Sequence, residues 1–440
     1  MAGRSNHRRD VMGVGLAALN KVASAGLIDR LKLRPQAERA VYEASRNGFK
    51  AVGVANRTFT AVQKRTKPER PSTAQGKDLF DLNPTDEQTM IAQATGEFAT
   101  ELLRPAAAEA DHACRTPESV LTRSVTELGI TQLSIPEALG GMGSERSAVT
   151  GVLVAEALAH GDMGQAVAVL APSAVSSALV LWGDADQQST YLPAFVGEQV
   201  PAAALTVLEP HVLFDPFALK TTAKRTSSGF VLDGVKSLVP RADTAELFLV
   251  GACLDGAPAL FLLESGTAGV TVESEPAMGL RAASMGRLLL TGVKVPTTAL
   301  LARGESYTEC IRLSRLGWAA LALGTGKAVL DYVIPYVNER RAFGEPISNR
   351  QAVAFMVANI SIELEGARLV TLRAAARAEE GKSFARETAL ARRLTSEYGM
   401  QIGSSGVQLL GGHGYVKEHP VERWYRDLRA VGLMEGVVMV

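Results

Sequence analysis

The feature that most constrains this fold is a change in hydrophobic periodicity near residue 200, which reverses near residue 305. Between these points the apolar runs are short, as in "AELFLVGACL" and "PALFLLES", and Gly, Pro, Asp and Thr separate them. On either side, apolar residues recur at helical spacing. A chain of 440 residues is also too long for one ordinary core. We therefore predict an α+β multidomain protein with an N-terminal helical domain (85–200), a central antiparallel β-barrel or sandwich (201–304) and a C-terminal helical bundle (305–440).

Three local signals predict particular features of the helical regions. Thr85 precedes a helical pattern and Gln88 follows three residues later, which is a capping-box pattern. The stretch "QAVAVLAPSAVSSALVLWG" is apolar on all sides, so we expect a buried helix. The pattern from residue 310 to residue 344 is one long helical repeat that Pro335 should interrupt.

Residues 1–70 are strongly basic, with 15 Lys and Arg against 5 Asp and Glu, although the whole chain has no net charge. We predict a basic amphipathic helical extension over residues 1–70, followed by a linker over residues 71–84 that is rich in Pro, Ser, Thr and Gly. Such an arm can lie on a membrane surface, bind a partner or cover the protein's own body. The sequence leaves these alternatives open.

The cysteine and histidine positions do not support a metal site. Cys114, Cys253 and Cys310 are far apart and follow no ligand spacing, which is typical of a reducing compartment. His413 and His419 have no clustered ligands beside them, so we predict that no metal binds.

The segment "GLMEGVVMV", residues 432–440, carries a single ionisable side chain, that of Glu435. The other eight residues are apolar or glycine. Burial in such surroundings makes a carboxylate costly to ionise and raises its proton affinity. Glu435 is therefore either exposed and idle, or buried with a chemical role.

Three stretches in order resemble the acyl-CoA dehydrogenase family: "ERRAFGEPISNRQAV" (339–353), "QLLGGHGYVKEHPVERWYRDLR" (408–429) and the closing "MEG". The "PEALGGMG" loop and "YLPAFVGEQVPAAAL" also fit the family's first helical domain and its passage into the β-domain. The resemblance covers about residues 82 to 440 and matches the helical, β, helical order. The basic arm lies outside it.

The resemblance implies an FAD-dependent enzyme that removes two hydrogens from an acyl-CoA thioester. In this chemistry a carboxylate takes the α proton, while the β hydrogen leaves as hydride to flavin N5. In the family the base can stand nine residues after the Arg of an "RD" pair and before a Gly. Here Arg426 plus nine is Glu435, and Gly436 follows, so we predict Glu435 as the catalytic base.

The resemblance also implies residues that bind the cofactor and the substrate. An arginine suits a pyrophosphate because its rigid guanidinium donates bidentate, charge-assisted bonds. Arg315 falls where the family keeps an arginine near the substrate. The positions that match the family's contacts to the FAD adenosine and pyrophosphate, made typically across a dimer interface, are Arg340, Phe343, Gln351, Gln408 and Gly412.

The positions that hold the flavin ring in the family depart from its pattern here. Leu208 and Pro240 stand where the family has two threonines whose hydroxyls contact the ring, and Leu238 replaces a tryptophan that walls it. Glu209 and Lys236, from the same two motifs, are retained. We predict that the ring is held at Leu208 and Pro240 through backbone contacts.

Three hypotheses about function follow. The first is an FAD-dependent acyl-CoA dehydrogenase that passes electrons to an electron-transfer flavoprotein, as a homodimer, homotetramer or heteromer. The second is a redox-inactive acyl-CoA-binding or partner subunit of a heteromeric complex, which the altered ring positions favour. The third is a scaffold at the membrane periphery that depends on the arm. We expect no nucleic-acid partner, and a cytoplasmic location in a bacterium or the mitochondrial matrix in a eukaryote.

Overall fold

The computed structural model describes residues 84–144 and 146–438, which belong to one compact unit. The predicted basic extension (1–70) lies outside the described residues, as does all of the predicted linker (71–84) except its last residue. Over the described residues, the predicted order of helices, strands and helices is confirmed.

Among the residues from 84 onward that the structure describes, six α-helices precede the sheet, and a capping box begins the first of them. The Thr85 hydroxyl accepts a hydrogen bond from the Gln88 N–H (3.1 Å), and the Gln88 side chain accepts one from the Thr85 N–H (3.0 Å), as predicted. The helices are α1 (Asp86–Phe98, continued by a π-helical turn, Ala99–Leu103), α2 (Arg104–Ala113), α3 (Glu118–Thr126), α4 (Ala148–Gly161), α5 (Met163–Trp182) and α6 (Ala185–Phe195).

Helix α5 is the buried apolar helix that the sequence predicts. Most of its residues are inaccessible to solvent, including Pro172 within it. Among the described residues it is the one helix long and apolar enough to cross a membrane, but 72% of its most apolar window is buried inside the protein. This burial is typical of a core helix against which other helices pack.

The central region is a single eight-stranded sheet with the strand order β6-β7-β3-β2-β4-β5-β8 and β1 beside β4. The strands are β1 (Ala203–Thr206), β2 (Thr222–Arg225), β3 (Gly229–Val239), β4 (Leu247–Leu254), β5 (Ala257–Glu264), β6 (Val270–Ser274), β7 (Gly286–Pro296) and β8 (Leu300–Arg303). Most pairs are antiparallel, as predicted. The prediction is wrong for β1–β4 and β2–β4, which are parallel. Nearly every residue of β4 is buried, the environment in which parallel pairing is usual.

The C-terminal region is again helical. Helix α7 spans Glu305–Glu339 without a break, so the predicted interruption at Pro335 is wrong. Pro335 lies close to the C-terminal end of α7, where the loss of one backbone donor disturbs little of the helix. The elements that follow are a short hairpin of β9 (Arg341–Ala342) and β10 (Glu345–Pro346), then α8 (Gln351–Glu379), α9 (Ala385–Leu410) and α10 (Val421–Leu428).

Helices α4 and α7 pack closely and join the two helical regions. A Cβ atom on Gly324 of α7 would lie 2.0 Å from the Glu156 carbonyl oxygen of α4, so only glycine permits this approach. The next residue, Thr325, donates from its hydroxyl to the Ala159 carbonyl of α4 (3.4 Å). This contact fixes α7 against α4 and places the candidate site between α4, α5 and α7.

A buried ion pair ties strand β3 to the loop between β1 and β2. The Lys236 Nζ is inaccessible to solvent and donates to Glu209 Oε1 (2.8 Å) and to the Val207 carbonyl (3.1 Å). The Glu209 carboxylate also accepts from the N–H groups of Lys220 (2.8 Å) and Thr221 (2.9 Å). These bonds hold in one place the two motifs that contain Leu208 and Pro240.

Burial and pairing have opposite effects on the two charges. Burial raises the pKa of Glu209, but Lys236 and the two backbone donors outweigh it and lower that pKa to about 2. For Lys236, burial outweighs the attraction of Glu209 and lowers the pKa to about 8. Because burying two charges offsets much of what their pairing contributes, the pair specifies the geometry of the loop more than it stabilises the fold.

We expect Lys236→Met to lower the free energy of unfolding by roughly 3–5 kcal/mol, because Glu209 is then buried without its counter-charge. The double variant Lys236→Met with Glu209→Gln should recover a large part of that loss. Denaturant unfolding measures both. Arg123→Met, which breaks the exposed Arg123–Glu127 pair, is the control and should cost about 0–1 kcal/mol. A Lys236→Met cost no larger than this control would contradict the argument.

Candidate active site

The candidate base, Glu435, lies on a tight turn after α10 and a 3₁₀ turn, Arg429–Gly432. Its backbone is in the left-handed region (φ 53°), as is that of Gly436 (φ 99°). Only 7% of the Glu435 residue surface is exposed. The turn therefore directs the carboxylate into the protein, which decides between the two alternatives that the sequence left open.

The "RD" pair upstream anchors this turn. Arg426 donates two hydrogen bonds to the Asp111 carboxylate (2.9 and 3.0 Å) and two to Glu422 (2.7 and 3.0 Å). Asp427 is buried, and its Oδ1 accepts from the Leu280 N–H (2.6 Å). Helix α10 is thus fixed to α2 and to the β-domain. Because Glu435 follows Arg426 by nine residues, these contacts also fix where the turn that carries Glu435 begins.

Two arginines bind the main chain of the turn. Arg315 of α7 donates to the Glu435 carbonyl oxygen from Nε (3.1 Å) and from Nη2 (2.9 Å). Arg392 of α9, which is almost wholly buried, donates from Nη2 to the Gly436 carbonyl oxygen. Both positive charges thus lie beside Glu435, and the hydrogen bonds they make here go to the backbone carbonyls.

Arg392 was missed by the reasoning from sequence. Arg315, which the resemblance places near the substrate, binds the Glu435 carbonyl in the structure, and its contact with a substrate remains a prediction. Arg392 shares a face of α9 with Thr388, Thr395 and Gly399, which are all buried. A charged residue on the buried face of an amphipathic helix was a signal that could have identified it.

The β-domain completes the support of the turn. The Val437 N–H donates to the Phe214 carbonyl (3.2 Å). A Cβ atom on Gly436 would lie 2.7 Å from Cδ of Pro216, so a larger residue has no room. The turn is therefore held between α7, α9 and the loop that precedes β2.

The environment of the Glu435 carboxyl favours its protonated form. Burial raises its pKa, and Ser314, Arg392, Arg315 and Trp318 oppose that effect without cancelling it. Its Oε2 has no hydrogen-bond partner within the described residues. A buried carboxylate oxygen without a partner has a high proton affinity and is available to a bound molecule.

Glu435 opens on a cavity of about 320 Å³ between α4, α5 and α7. The walls are mainly apolar or small side chains, with Ser314, Gly317 and Trp318 contributed by α7. Pro240, one of the two predicted ring contacts, also lines this cavity. Pro240 and Glu435 therefore border the same space.

Four of the five residues predicted to bind the adenosine and pyrophosphate line a second cavity, of about 1300 Å³. They are Arg340, Phe343, Gln408 and Gly412. Gln351, the fifth, does not line it; it is the exposed first residue of α8, next to lining residue Ala352. These assignments remain predictions.

The second cavity fits a dinucleotide in size and chemistry. The Phe343 ring is almost wholly uncovered (94% exposed), which leaves an apolar face for a stacked base. Arg340 is exposed and lines this cavity, so its guanidinium can bind a phosphate. A Cβ atom on Gly412 would meet nothing within 4 Å, so the chain there borders open space.

Leu208, the other predicted ring contact, packs against apolar core side chains and does not line the cavity of Glu435. Its carbonyl already accepts from the Ser237 N–H (2.9 Å). A ring contact at Leu208 remains a prediction. Within residues 84–144 and 146–438, no group of three or more His, Cys, Asp and Glu could hold a metal ion.

Family profiles match almost the whole of the described chain. The "Acyl-CoA dehydrogenase, N-terminal domain" profile matches residues 85–199, the "middle domain" profile matches residues 202–293, and the "C-terminal domain" profile matches residues 304–438.

Individual relatives agree with these profiles. The short/branched chain specific acyl-CoA dehydrogenase of Rattus norvegicus mitochondria is 34% identical over 80% of this chain and 83% of its own. The solved butyryl-CoA dehydrogenase of Megasphaera elsdenii has a TM-score of 0.76 and 29% identity, and the match covers 82% of this chain and 97% of that one. A structure described as an electron transferring flavoprotein of Acidaminococcus fermentans contains a similar chain (TM-score 0.75, 29% identity, 82% and 97% covered).

We expect Gly436→Ala to destabilise the turn that carries Glu435, because alanine combines an unfavourable positive φ with the overlap at Pro216. Hydrogen exchange at residues 433–438 should rise, and the melting temperature should fall. Gly256→Ala is the matched control, since Gly256 has a similar φ (85°) but open space at its Cβ position. Gly256→Ala should lower the free energy of unfolding by about 1–2 kcal/mol through its positive φ alone. Equal falls in melting temperature in the two variants would show that the contact with Pro216 does not contribute.

Proposed function

This chain belongs to the acyl-CoA dehydrogenase family, and we propose that Glu435 is the base that removes the α proton of its acyl-CoA substrate. The observation that carries the proposal is that Glu435 is the one acidic residue among the described residues that line the helical cavity. Its carboxyl is buried and one oxygen is unpartnered.

The chemistry of the reaction requires such a group. The α C–H bond of a thioester is weakly acidic, so the base must have a raised proton affinity. When Glu435 takes that proton, the electron pair of the C–H bond forms the new Cα–Cβ double bond. The enzyme is FAD-dependent, and bound FAD supplies the acceptor for the β hydride. The apolar walls exclude water, and the arginines on the adjacent carbonyls hold the carboxylate in place.

For the cofactor, we propose that Arg340, Phe343, Gln408 and Gly412 bind the adenosine and pyrophosphate, with Gln351 beside them. Backbone groups near Leu208 and Pro240 would hold the ring. The side chains at these two positions offer no hydroxyl, so the backbone must supply any hydrogen bonds to it.

We also propose that the enzyme is a homo-oligomer. Phe355, Ile362 and Leu369 are exposed and spaced seven residues apart, so they form one apolar stripe on α8. A stripe of this kind on a soluble protein usually packs against another chain. The uncovered ring of Phe343 fits the same arrangement.

For the electron acceptor, we propose an electron-transfer flavoprotein, which the similar chain in the Acidaminococcus fermentans structure supports. The rat relative is named as mitochondrial. We accordingly propose the mitochondrial matrix in a eukaryote and the cytoplasm in a bacterium.

The visible spectrum of the purified protein tests this proposed function. We expect flavin absorption that bleaches when an acyl-CoA is added without oxygen, and we expect Glu435→Gln to slow the bleaching by at least 100-fold, because general-base catalysis contributes about 10²–10⁴. Glu305→Gln, at an exposed glutamate on α7, should bleach at the native rate.

Bleaching of Glu435→Gln at the native rate would refute the assignment of the base. A protein that does not retain FAD would contradict the dehydrogenase and favour the acyl-CoA-binding subunit.

The second prediction concerns the pH dependence of kcat/KM. The base must be ionised, and burial raises the pKa of Glu435, so the rate should rise with pH through a pKa above that of an exposed glutamate. Arg392 lowers this pKa. In Arg392→Met the acidic limb of the pH profile should therefore move to higher pH. In Arg392→Lys, which keeps the positive charge, the limb should lie close to its native position. An unmoved limb in Arg392→Met would mean that Arg392 has no electrostatic effect on the base.

A further inference from the structure

The C-terminal end of strand β3 is the part of the β-domain that leads to the candidate active site. Pro240, one residue beyond β3, lines the cavity of Glu435, and Leu238 packs against core side chains of the helical regions. The contacts that hold this short segment therefore decide where the main chain lies beside a flavin ring at Pro240.

The backbone of this segment is irregular. Leu238 has a positive φ (49°), which is uncommon for a bulky side chain. The register between β3 and β7 also shifts between Lys236 and Val239, as it does at a β-bulge. Such a conformation is unfavourable in isolation and persists only where surrounding contacts impose it.

Glu275, which follows β6, supplies those contacts. Its Oε2 accepts from the Leu238 N–H (2.7 Å), and its Oε1 accepts from the Ser237 hydroxyl (2.8 Å). Arg287 of β7 donates from Nη2 to the same Oε1 (2.7 Å) and so orients the carboxylate. Both oxygens of one side chain thus bind two consecutive residues of the irregular segment.

The same side chain is linked to the second predicted ring position. The Ser237 N–H donates to the Leu208 carbonyl (2.9 Å), so the residue whose hydroxyl binds Glu275 also holds Leu208. Lys236, the preceding residue, is bound to Glu209. Two acidic side chains therefore fix three consecutive residues of β3.

Glu275 also places a negative charge beside this segment. Burial raises the pKa of Glu275, but the Leu238 N–H, Arg287 and Ser237 outweigh burial and lower that pKa. The Arg287 side chain is 40% exposed and that of Glu275 is 15% exposed, so water screens the guanidinium more than the carboxylate. Because the Leu238 N–H binds Glu275, it is not a donor for a ring. Glu275 can act on a ring through the path of the main chain and through its charge.

We propose that Glu275 is a positioning residue for the flavin ring. It holds the main chain at Leu208 and Pro240, the two positions whose side chains offer no hydroxyl. The inference rests on the ring contacts proposed above for these two residues. Where no hydroxyl locates the ring directly, a rigid main chain takes over that task, and Glu275 keeps the main chain rigid.

The affinity for FAD tests this role without any substrate. The full-length holoenzyme is diluted, and the fluorescence of the released flavin is followed. We expect Glu275→Ala to weaken FAD binding about ten-fold or more, because ordering a single backbone residue changes an equilibrium constant by about that factor. Hydrogen exchange at residues 237–239 should rise in the same variant. Glu273→Ala, at an exposed glutamate of β6, is the matched control and should retain FAD as the native protein does.

Glu275→Gln separates geometry from charge. The amide keeps an acceptor for the Leu238 N–H, so FAD affinity should stay close to the native value. The midpoint potential of the bound flavin should rise, because the loss of a negative charge favours the electron-rich reduced form. A merely structural role of Glu275 would leave this potential unchanged.

A folded Glu275→Ala protein with native FAD affinity would overturn the proposal, even if its melting temperature had fallen. An unchanged potential in Glu275→Gln would overturn it as well. Should Glu275→Ala fail to fold, Ser237→Ala removes one of the two anchoring bonds and should also weaken FAD binding. Native affinity in Ser237→Ala would then overturn the proposal.

The ring contacts proposed above would fail in a different measurement. Pro240→Thr introduces a hydroxyl at the predicted ring position and should change the absorption spectrum of bound FAD. An unchanged spectrum would refute the ring contact at Pro240, and the proposal for Glu275 with it. A changed spectrum together with native FAD affinity in Glu275→Ala would refute the role of Glu275 alone.

Discussion

The burial of one carboxylate in an apolar wall is the constraint on which this site depends. An isolated buried charge costs several kcal/mol, and the usual remedy is a direct ion pair. Such a pair would lower the proton affinity that the proposed base needs. Here Arg315 and Arg392 bind the carbonyls of Glu435 and Gly436 instead. Their positive charges are near enough to reduce the free-energy cost of ionising Glu435, while the pKa of its carboxyl stays raised.

The two regions proposed to bind the cofactor are held in place by different interactions. The second cavity offers a cation, an uncovered aromatic ring and a glycine turn, all side-chain or backbone features of the C-terminal helices. Near Leu208 and Pro240, the buried pair of Glu209 and Lys236 instead fixes the backbone itself. Substitutions at Leu208 and Pro240 can thus remove hydroxyl groups without disturbing the scaffold that presents the main chain.

Features that depend on local sequence were predictable, and features that depend on tertiary contacts were not. The capping box of Thr85 and Gln88 and the buried helix α5 follow from neighbouring residues. The burial of Glu435 was left open by its apolar neighbours, and the fold decides it. The helix interruption predicted at Pro335 was wrong because the free-energy cost of a proline depends on its distance from the helix end.

The sequence could single out Arg392 but not its partner, because Gly436 is 44 residues away and is brought close only by the packing of α9. The parallel pairing of β4 with β1 and β2 is likewise a property of the assembled sheet. Cavity volume depends on how three helices pack, since each lining face alone resembles an ordinary core stripe.

The support of the turn at Glu435 has a kinetic consequence. Its hydrogen bonds join it to Phe214, which accepts, and to Arg315 and Arg392, which donate, so they close loops of many residues. Contacts of such long range form slowly because loop closure costs entropy before any bond forms. On refolding, helical structure should return first, and catalytic competence should return last, after all three segments have met.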